Sequence, residues 1–161
     1  MKISTKVECG IIALVDICIN SGNDEVVTVI NISRRQDISA KYLEQILPLL
    51  RHAGIIRSVK GAKGGYTLTA PADQITLREV IDALDSGVLE DVNFRDREDS
   101  LIADAVSECL WSKMTDYLQR FSESVTLKDI TDRFEDLADN SEAEPMYYIC
   151  LLYTSPSPRD S

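Results

Sequence analysis

The sequence predicts a mainly α fold with a small β wing, and three observations predict it. Apolar residues recur at helical spacing in three successive N-terminal segments. A basic, glycine-rich turn, Gly61-Ala62-Lys63-Gly64, then separates two short β-type runs. Finally, Ile102, Val106, Leu110, Met114, Tyr117 and Phe121 form an apolar stripe over about five turns.

Taking the elements in order, Val7, Ile11, Leu14, Val15 and Cys18 lie on a 3.6-residue period, so residues 4–19 read as an amphipathic helix ended by Asn20-Ser21-Gly22-Asn23-Asp24. A short second helix is expected over Val29–Gln36. After the tight Asp37-Ile38-Ser39 turn, Ser39 is placed to cap a third helix carrying Tyr42, Leu43, Ile46, Leu47 and Leu50, with Gly54 as its stop. Pro48 lacks an amide donor and predicts a kink or break near Leu47.

Residues 55–60 and 65–69 read as hairpin strands, the intervening glycines supplying the positive φ that the turn needs. Helix, short helix, turn, helix and basic hairpin, in that order, is a winged helix-turn-helix. In that arrangement the helix after the turn enters the major groove of double-stranded DNA. The expected domain covers residues 1–88, followed by an acidic loop, 89–100, and a helical dimerisation segment, 101–140.

Within these, Thr76 caps a helix reaching about Leu84, and a last helix is expected over residues 126–138. The latter opens with Val125-Thr126-Leu127-Lys128-Asp129, an echo of Ile75-Thr76-Leu77-Arg78-Glu79 that reads as shared capping chemistry. The long stripe exceeds what a small domain needs to cover itself, which points to a homodimer.

Charge divides the chain. Residues 1–70 hold nine Lys/Arg against six Asp/Glu, a balance of +3, whereas residues 71–149 hold seven against twenty, a balance of −13. A locally basic half can meet phosphates while the acidic half faces away. At 161 residues the chain is sized for one domain and an appendage. No apolar run reaches the roughly 20 residues of a membrane span, and residues 1–6 lack a signal-peptide core. A cytoplasmic protein without membrane association is expected.

Cys9, Cys18, Cys109 and Cys150 have no paired or metal-ligand spacing. Cys109, on the apolar stripe, reads as a buried core thiol, as do Cys9 and Cys18. His52, the only histidine, reads as a cation at a helix end. One histidine, unpaired cysteines and no phosphate-cradling glycine loop argue against an enzyme. Residues 150–160 back-translate to a transposon-type sequencing adapter, so residues 150–161 read as adapter read-through. Their Ser/Pro-rich composition also suits a disordered terminus, and on either reading they carry no functional inference.

Four ordered motifs carry a family resemblance: Met1-Lys2-Ile3-Ser4-Thr5-Lys6, Ile38-Ser39-Ala40-Lys41-Tyr42-Leu43-Glu44-Gln45, the run from Gly54 through Arg57 and Lys60 to Tyr66, and Ile75-Thr76-Leu77-Arg78-Glu79-Val80-Ile81. Together they resemble the Rrf-two family of bacterial regulators over residues 1 to about 138. That family includes an iron-sulfur assembly regulator, a nitric-oxide sensor and a cysteine-metabolism repressor, all dimers that read operator DNA.

The resemblance implies recognition-helix contacts from Lys41, Tyr42 and Glu44, and wing contacts from Lys60, Gly61, Lys63, Gly64 and Gly65, with Arg57 on the first wing strand. Lys41 and Lys60 suit phosphates or guanine edges, and Glu44 a cytosine amino group. The wing glycines would let backbone amides approach DNA. Tyr42 equally suits core packing, and each lysine a solvated surface.

Cluster-binding relatives carry three closely spaced cysteines before and at the start of the long helix, and this chain has none there. No cofactor is expected. The implied function is a cluster-free homodimeric repressor of a palindromic operator, closer in type to the cysteine-metabolism repressor. That leaves a metabolic-enzyme partner, a small-molecule effector or constitutive repression open. The alternative is a protein-interaction module of the same fold that has lost specific DNA binding, which should have degraded Lys41, Lys60 and Lys63.

Overall fold

The computed structural model describes residues 3–90 and 100–154, with side chains through residue 141. Residues 91–99 of the acidic connector, and 155–161 of the segment read as adapter, lie outside the described residues. The fold is mainly helical with one two-stranded antiparallel sheet.

Helix α1 (Thr5–Asn20) starts where the Ser4 hydroxyl accepts from the Val7 amide at 3.3 Å. It buries Val7, Gly10, Ala13, Leu14 and Ile17, a face rotated from the predicted one. Ile11, Val15 and Cys18 are only half-buried against the core. The helix is apolar on two sides, and periodicity could not tell which one faces inward.

A capping box between Thr28 and Asn31 opens α2 (Val29–Gln36), which has the predicted limits. The turn to α3 (Ala40–His52) puts Asp37 in the left-handed region, φ 54°, and sends Ile38 into the core. Ser39 caps α3 by accepting from the Tyr42 amide at 3.1 Å. Pro48 does not break the helix. Its ring removes a single hydrogen bond, while Leu43, Ile46, Leu47 and Leu50, all buried, hold both flanking turns to the core. The His52 Nδ1–H donates to the Pro48 carbonyl at 2.6 Å, at the helix end expected for it. Gly54, at φ 75°, turns the chain out of α3.

Strands β1 (Ile56–Val59) and β2 (Gly65–Leu68) pair in the register Ile56 with Leu68 through Val59 with Gly65. Val27 extends this ladder: its amide donates to the Tyr66 carbonyl at 2.9 Å and the Tyr66 amide returns at 2.7 Å. The segment before α2 is thereby tied to the wing.

Helix α4 (Leu77–Leu84) begins with the predicted Thr76 cap, completed by Glu79. The echoed motif proves to be a contact. The Leu77 amide donates to the Val125 carbonyl and the Leu127 amide to the Ile75 carbonyl, both at 2.9 Å, so the two capping segments pair antiparallel at Thr76 and Thr126. Leu127 is fully buried and anchors the start of α7 (Leu127–Thr154) in the N-terminal core. Helix α7 runs past the predicted end at residue 138, since no glycine interrupts the stretch.

Helix α5 (Leu101–Val106), one π turn (Ser107–Trp111) and α6 (Ser112–Ser124) make a single helical run from residue 101 to 124. Cys109 lies in the π turn and is exposed, contrary to the buried position expected for it. The stripe that carries it, with Val106 and Leu110 on either side, faces outward on the single chain, so a place on the stripe is not a buried one.

Candidate nucleic-acid interface

On α3 the buried leucines and Ile46 occupy one side, which leaves Lys41, Glu44, Gln45, Pro48 and His52 along the opposite face at three- and four-residue steps. Lys41, Glu44 and Gln45 are exposed. Tyr42 flanks this face and is half-buried against the core, with the rest of its ring exposed beside Lys41. Gln45 was not singled out from sequence. Its signal was the i+4 spacing from Lys41, and its amide can pair with both hydrogen-bonding atoms of an adenine edge.

The wing presents Arg57, Lys60 and Lys63 to solvent. Its glycines have a structural reason of their own. Gly61 adopts φ 119°, and a Cβ on Gly64 would collide with the Val59 carbonyl oxygen. A Cβ on Gly65 would stand 2.7 Å from the Val27 carbonyl oxygen. The turn and the Val27 bridge therefore require these residues whether or not their amides approach DNA.

What holds α3 outward is the packing behind it. Asp16, 2% exposed on α1, accepts from Arg35 Nε at 2.9 Å, Arg35 Nη2 at 2.8 Å and Gln36 Nε2 at 2.8 Å. Burial pushes the Asp16 carboxyl up. The hydrogen bonds from Arg35 and Gln36 and the Arg35 charge outweigh it, and the net pKa lies below the ordinary carboxylate value. Arg35 and Gln36 form the last turn of α2, so this knot sets the angle at which the turn and α3 leave.

The second surface is on the long helix. Its α6 portion buries Thr115 and Ser122 and half-buries Leu118, while Met114, Tyr117 and Phe121 are exposed. Ile102 is 79% exposed, Tyr117 75% and Phe121 67%, and Val106, Leu110 and Met114 are also exposed. Helix α6 is fixed to the body by Gln119 donating to the Leu89 carbonyl at 2.9 Å and by the Arg78–Glu123 ion pair at 3.0 Å.

A helix-turn-helix with an outward polar third helix, a basic two-stranded wing and an appended helix of outward apolar residues defines a winged helix-turn-helix transcription regulator. The chain belongs to the Rrf2 family: the model of that family, described as an iron-dependent transcriptional regulator, matches residues 3–133. Among its relatives are the HTH-type transcriptional regulators IscR of Pectobacterium carotovorum, 32% identical over 89% of this chain and 88% of that protein, and CymR of Bacillus subtilis, 30% identical over 92% and 100%. The IscR of Cereibacter sphaeroides is 44% identical over 55% of this chain and 57% of its own length. Solved structures of B. subtilis CymR, described as the global cysteine regulator, and of T. potens IscR superpose with TM-scores of 0.70 and 0.67. They are 28% and 29% identical, and the matches cover 83% and 85% of this chain and 98% and 90% of theirs. These relatives are regulators, not enzymes.

Among the described residues no three His, Cys, Asp or Glu side chains converge to hold a metal ion. The sequence has no cysteine between Cys18 and Cys109, where thiolate ligands would be needed. Burial raises the Cys18 thiol pKa, which disfavours its thiolate. Among the described residues no helix is long and apolar enough to cross a membrane.

Proposed function

We propose that this chain is a cytoplasmic homodimeric repressor that binds a palindromic operator and carries no iron-sulfur cluster. The observation that carries the reading is the outward set formed by Lys41, Glu44 and Gln45 on α3 with Arg57, Lys60 and Lys63 on the wing, above a helix whose other face is wholly buried. Lysines and Arg57 meet phosphates, while Glu44 and Gln45 read base edges. The exposed stripe from Ile102 to Phe121 pairs two copies and sets the spacing of their α3 helices on two half-sites.

Without the three closely spaced cysteines of cluster-binding relatives, the chain responds to a small-molecule effector or a metabolic-enzyme partner, or represses constitutively. The test is a gel-shift titration of fragments from the gene's own upstream region at two salt concentrations. A specific complex whose affinity falls steeply with salt is expected. Absence of any specific complex would leave a protein-interaction module as the function of the fold.

A further inference from the structure

Contacts that lie outside both the DNA-reading face and the stripe fix one relative to the other. The Thr76–Thr126 bridge ties the end of α6 to the start of α4 through two backbone bonds of 2.9 Å. Leu127, fully buried, pins the same junction into the N-terminal core. Further along α6, Glu123 accepts from Arg78 of α4 at 3.0 Å, while Asp82 holds the Nε of that arginine at 3.2 Å. Gln119, one turn before Glu123, donates to the carbonyl of the buried Leu89 at 2.9 Å. It lies about 160° around α6 from both Tyr117 and Phe121, so the clamped side of the helix is the one opposite the stripe.

Helix α4 in turn packs on α1 and α3, with Val80 and Leu84 buried. From Tyr117 and Phe121, through Gln119 and Glu123 to α4 and on to α3, every step is therefore packed or hydrogen-bonded. Helix α6 has no glycine or proline at which to kink. A duplex makes strict demands on such a frame. Each base pair added between two half-sites displaces the second by about 3.4 Å and turns it by about 34°. A dimer whose stripe and α3 are locked together can engage both half-sites at one separation.

We propose that Arg78 and Gln119 are positioning residues for operator recognition: by clamping the side of α6 opposite the stripe to the winged-helix unit, they select the half-site spacing that the dimer accepts. The Thr76–Thr126 bridge and Leu127 act as the pivot, holding the junction between the two halves in place. Gln119, about 7.5 Å along α6 from Ser124, stops rotation about that pivot. The inference rests on the homodimeric operator binding proposed above and adds to it what chooses the spacing. Neither residue belongs to the α3 and wing set or to the stripe, so spacing is separable from base reading and from dimerisation.

The test compares the full-length chain with its double variant Arg78→Ala/Gln119→Ala. Wild type first selects its palindrome from a randomised duplex library. The probes are then that palindrome, the same duplex with its centre shortened or lengthened by one or two base pairs, and an isolated half-site. One added base pair should cost wild type about a hundredfold or more in affinity, because the second reading head no longer engages. In the variant the same insertion should cost about tenfold or less, while its half-site affinity and its dimer dissociation constant stay at wild-type values. A variant as strict about spacing as wild type would overturn the assignment. So would a variant that sediments as a monomer, since the two residues would then build the interface instead of orienting it. A wild type indifferent to spacing would overturn the lock and leave the homodimeric regulator standing, whereas failure to select any palindrome would remove that regulator and the inference with it.

Discussion

Asp16 and Arg35 join α1 to α2 by a two-pronged ion pair, with Nε to Oδ2 at 2.9 Å and Nη2 to Oδ1 at 2.8 Å. The Asp16 side chain is fully shielded while that of Arg35 is 39% exposed, so solvent screens only one partner. In Asp16→Asn the charge-assisted bonds are lost and Arg35 turns to water, for a cost of about 1.5–3 kcal/mol at pH 7. Because the Asp16 pKa is lowered by folding, its contribution is fully present above the unfolded carboxylate value of 3.8 and is lost as pH falls through the folded value. Urea denaturation at a series of pH values should show the gap between wild type and Asp16→Asn steady near neutrality and closing below that point.

Gly10 faces Leu84 across the α1–α4 contact, and a Cβ there would come within 2.5 Å of Leu84 Cδ1 and 3.1 Å of its Cγ. Helix propensity alone favours Gly10→Ala by about 1 kcal/mol. Overpacking costs about 1–3 kcal/mol, and Leu84 is buried, so its methyl groups can yield only against other core side chains. The substitution should therefore lower stability by about 1 kcal/mol. Thermal denaturation of Gly10→Ala, Leu84→Ala and the double variant should show the two changes coupled, the alanine at residue 10 being tolerated once Leu84 is truncated.

Local chemistry made much of the fold legible before any coordinates. Ser39 and Thr76 cap the helices they were expected to cap, and the Gly61–Gly65 stretch makes the expected turn, because caps and turns depend on residues three or four apart. What escaped depends on partners distant in sequence. Asp16 meets Arg35 nineteen positions away, Val27 bridges to Tyr66, and Thr76 lies beside Thr126. None of these leaves a periodic trace. The expected break at Pro48 and burial of Cys109 fail for a related reason: burial of Leu47 and Leu50 carries the helix through Pro48, and the stripe that holds Cys109 faces outward on the single chain. The exposure of Lys41, Glu44, Lys60 and Lys63 was legible from their spacing, but Gln45, exposed on the same side of α3, was not distinguished from an ordinary solvated side chain.

The outward residues of α3 and the wing should separate into two kinds by their DNA behaviour. Lys41→Ala and Lys63→Ala should weaken binding to all sequences alike and reduce the slope of log affinity against log salt by about 1 each. Glu44→Ala and Gln45→Ala should leave that slope unchanged and relax the preference at one base pair by about 1–3 kcal/mol. Fluorescence-anisotropy titrations with an operator and its single-base variants, at two salt concentrations, distinguish these outcomes. An unchanged slope in both lysine variants would remove them from the interface.

Tyr117 and Phe121 test the stripe directly. Both are more than two-thirds exposed on the single chain, so Tyr117→Asp and Phe121→Asp leave its core untouched and should preserve the helical circular dichroism. On the proposed dimer stripe an introduced charge is buried against the second copy, and its desolvation has no compensating partner. The double variant should sediment as a monomer at concentrations where wild type is dimeric. Without the covalent-like proximity of a second α3, its affinity for a two-half-site operator should fall by about a hundredfold or more, while binding to an isolated half-site changes little. Equal loss on both DNA lengths would mean that the substitutions disturb the reading head itself, and dimeric sedimentation of the variant would move the interface away from the stripe.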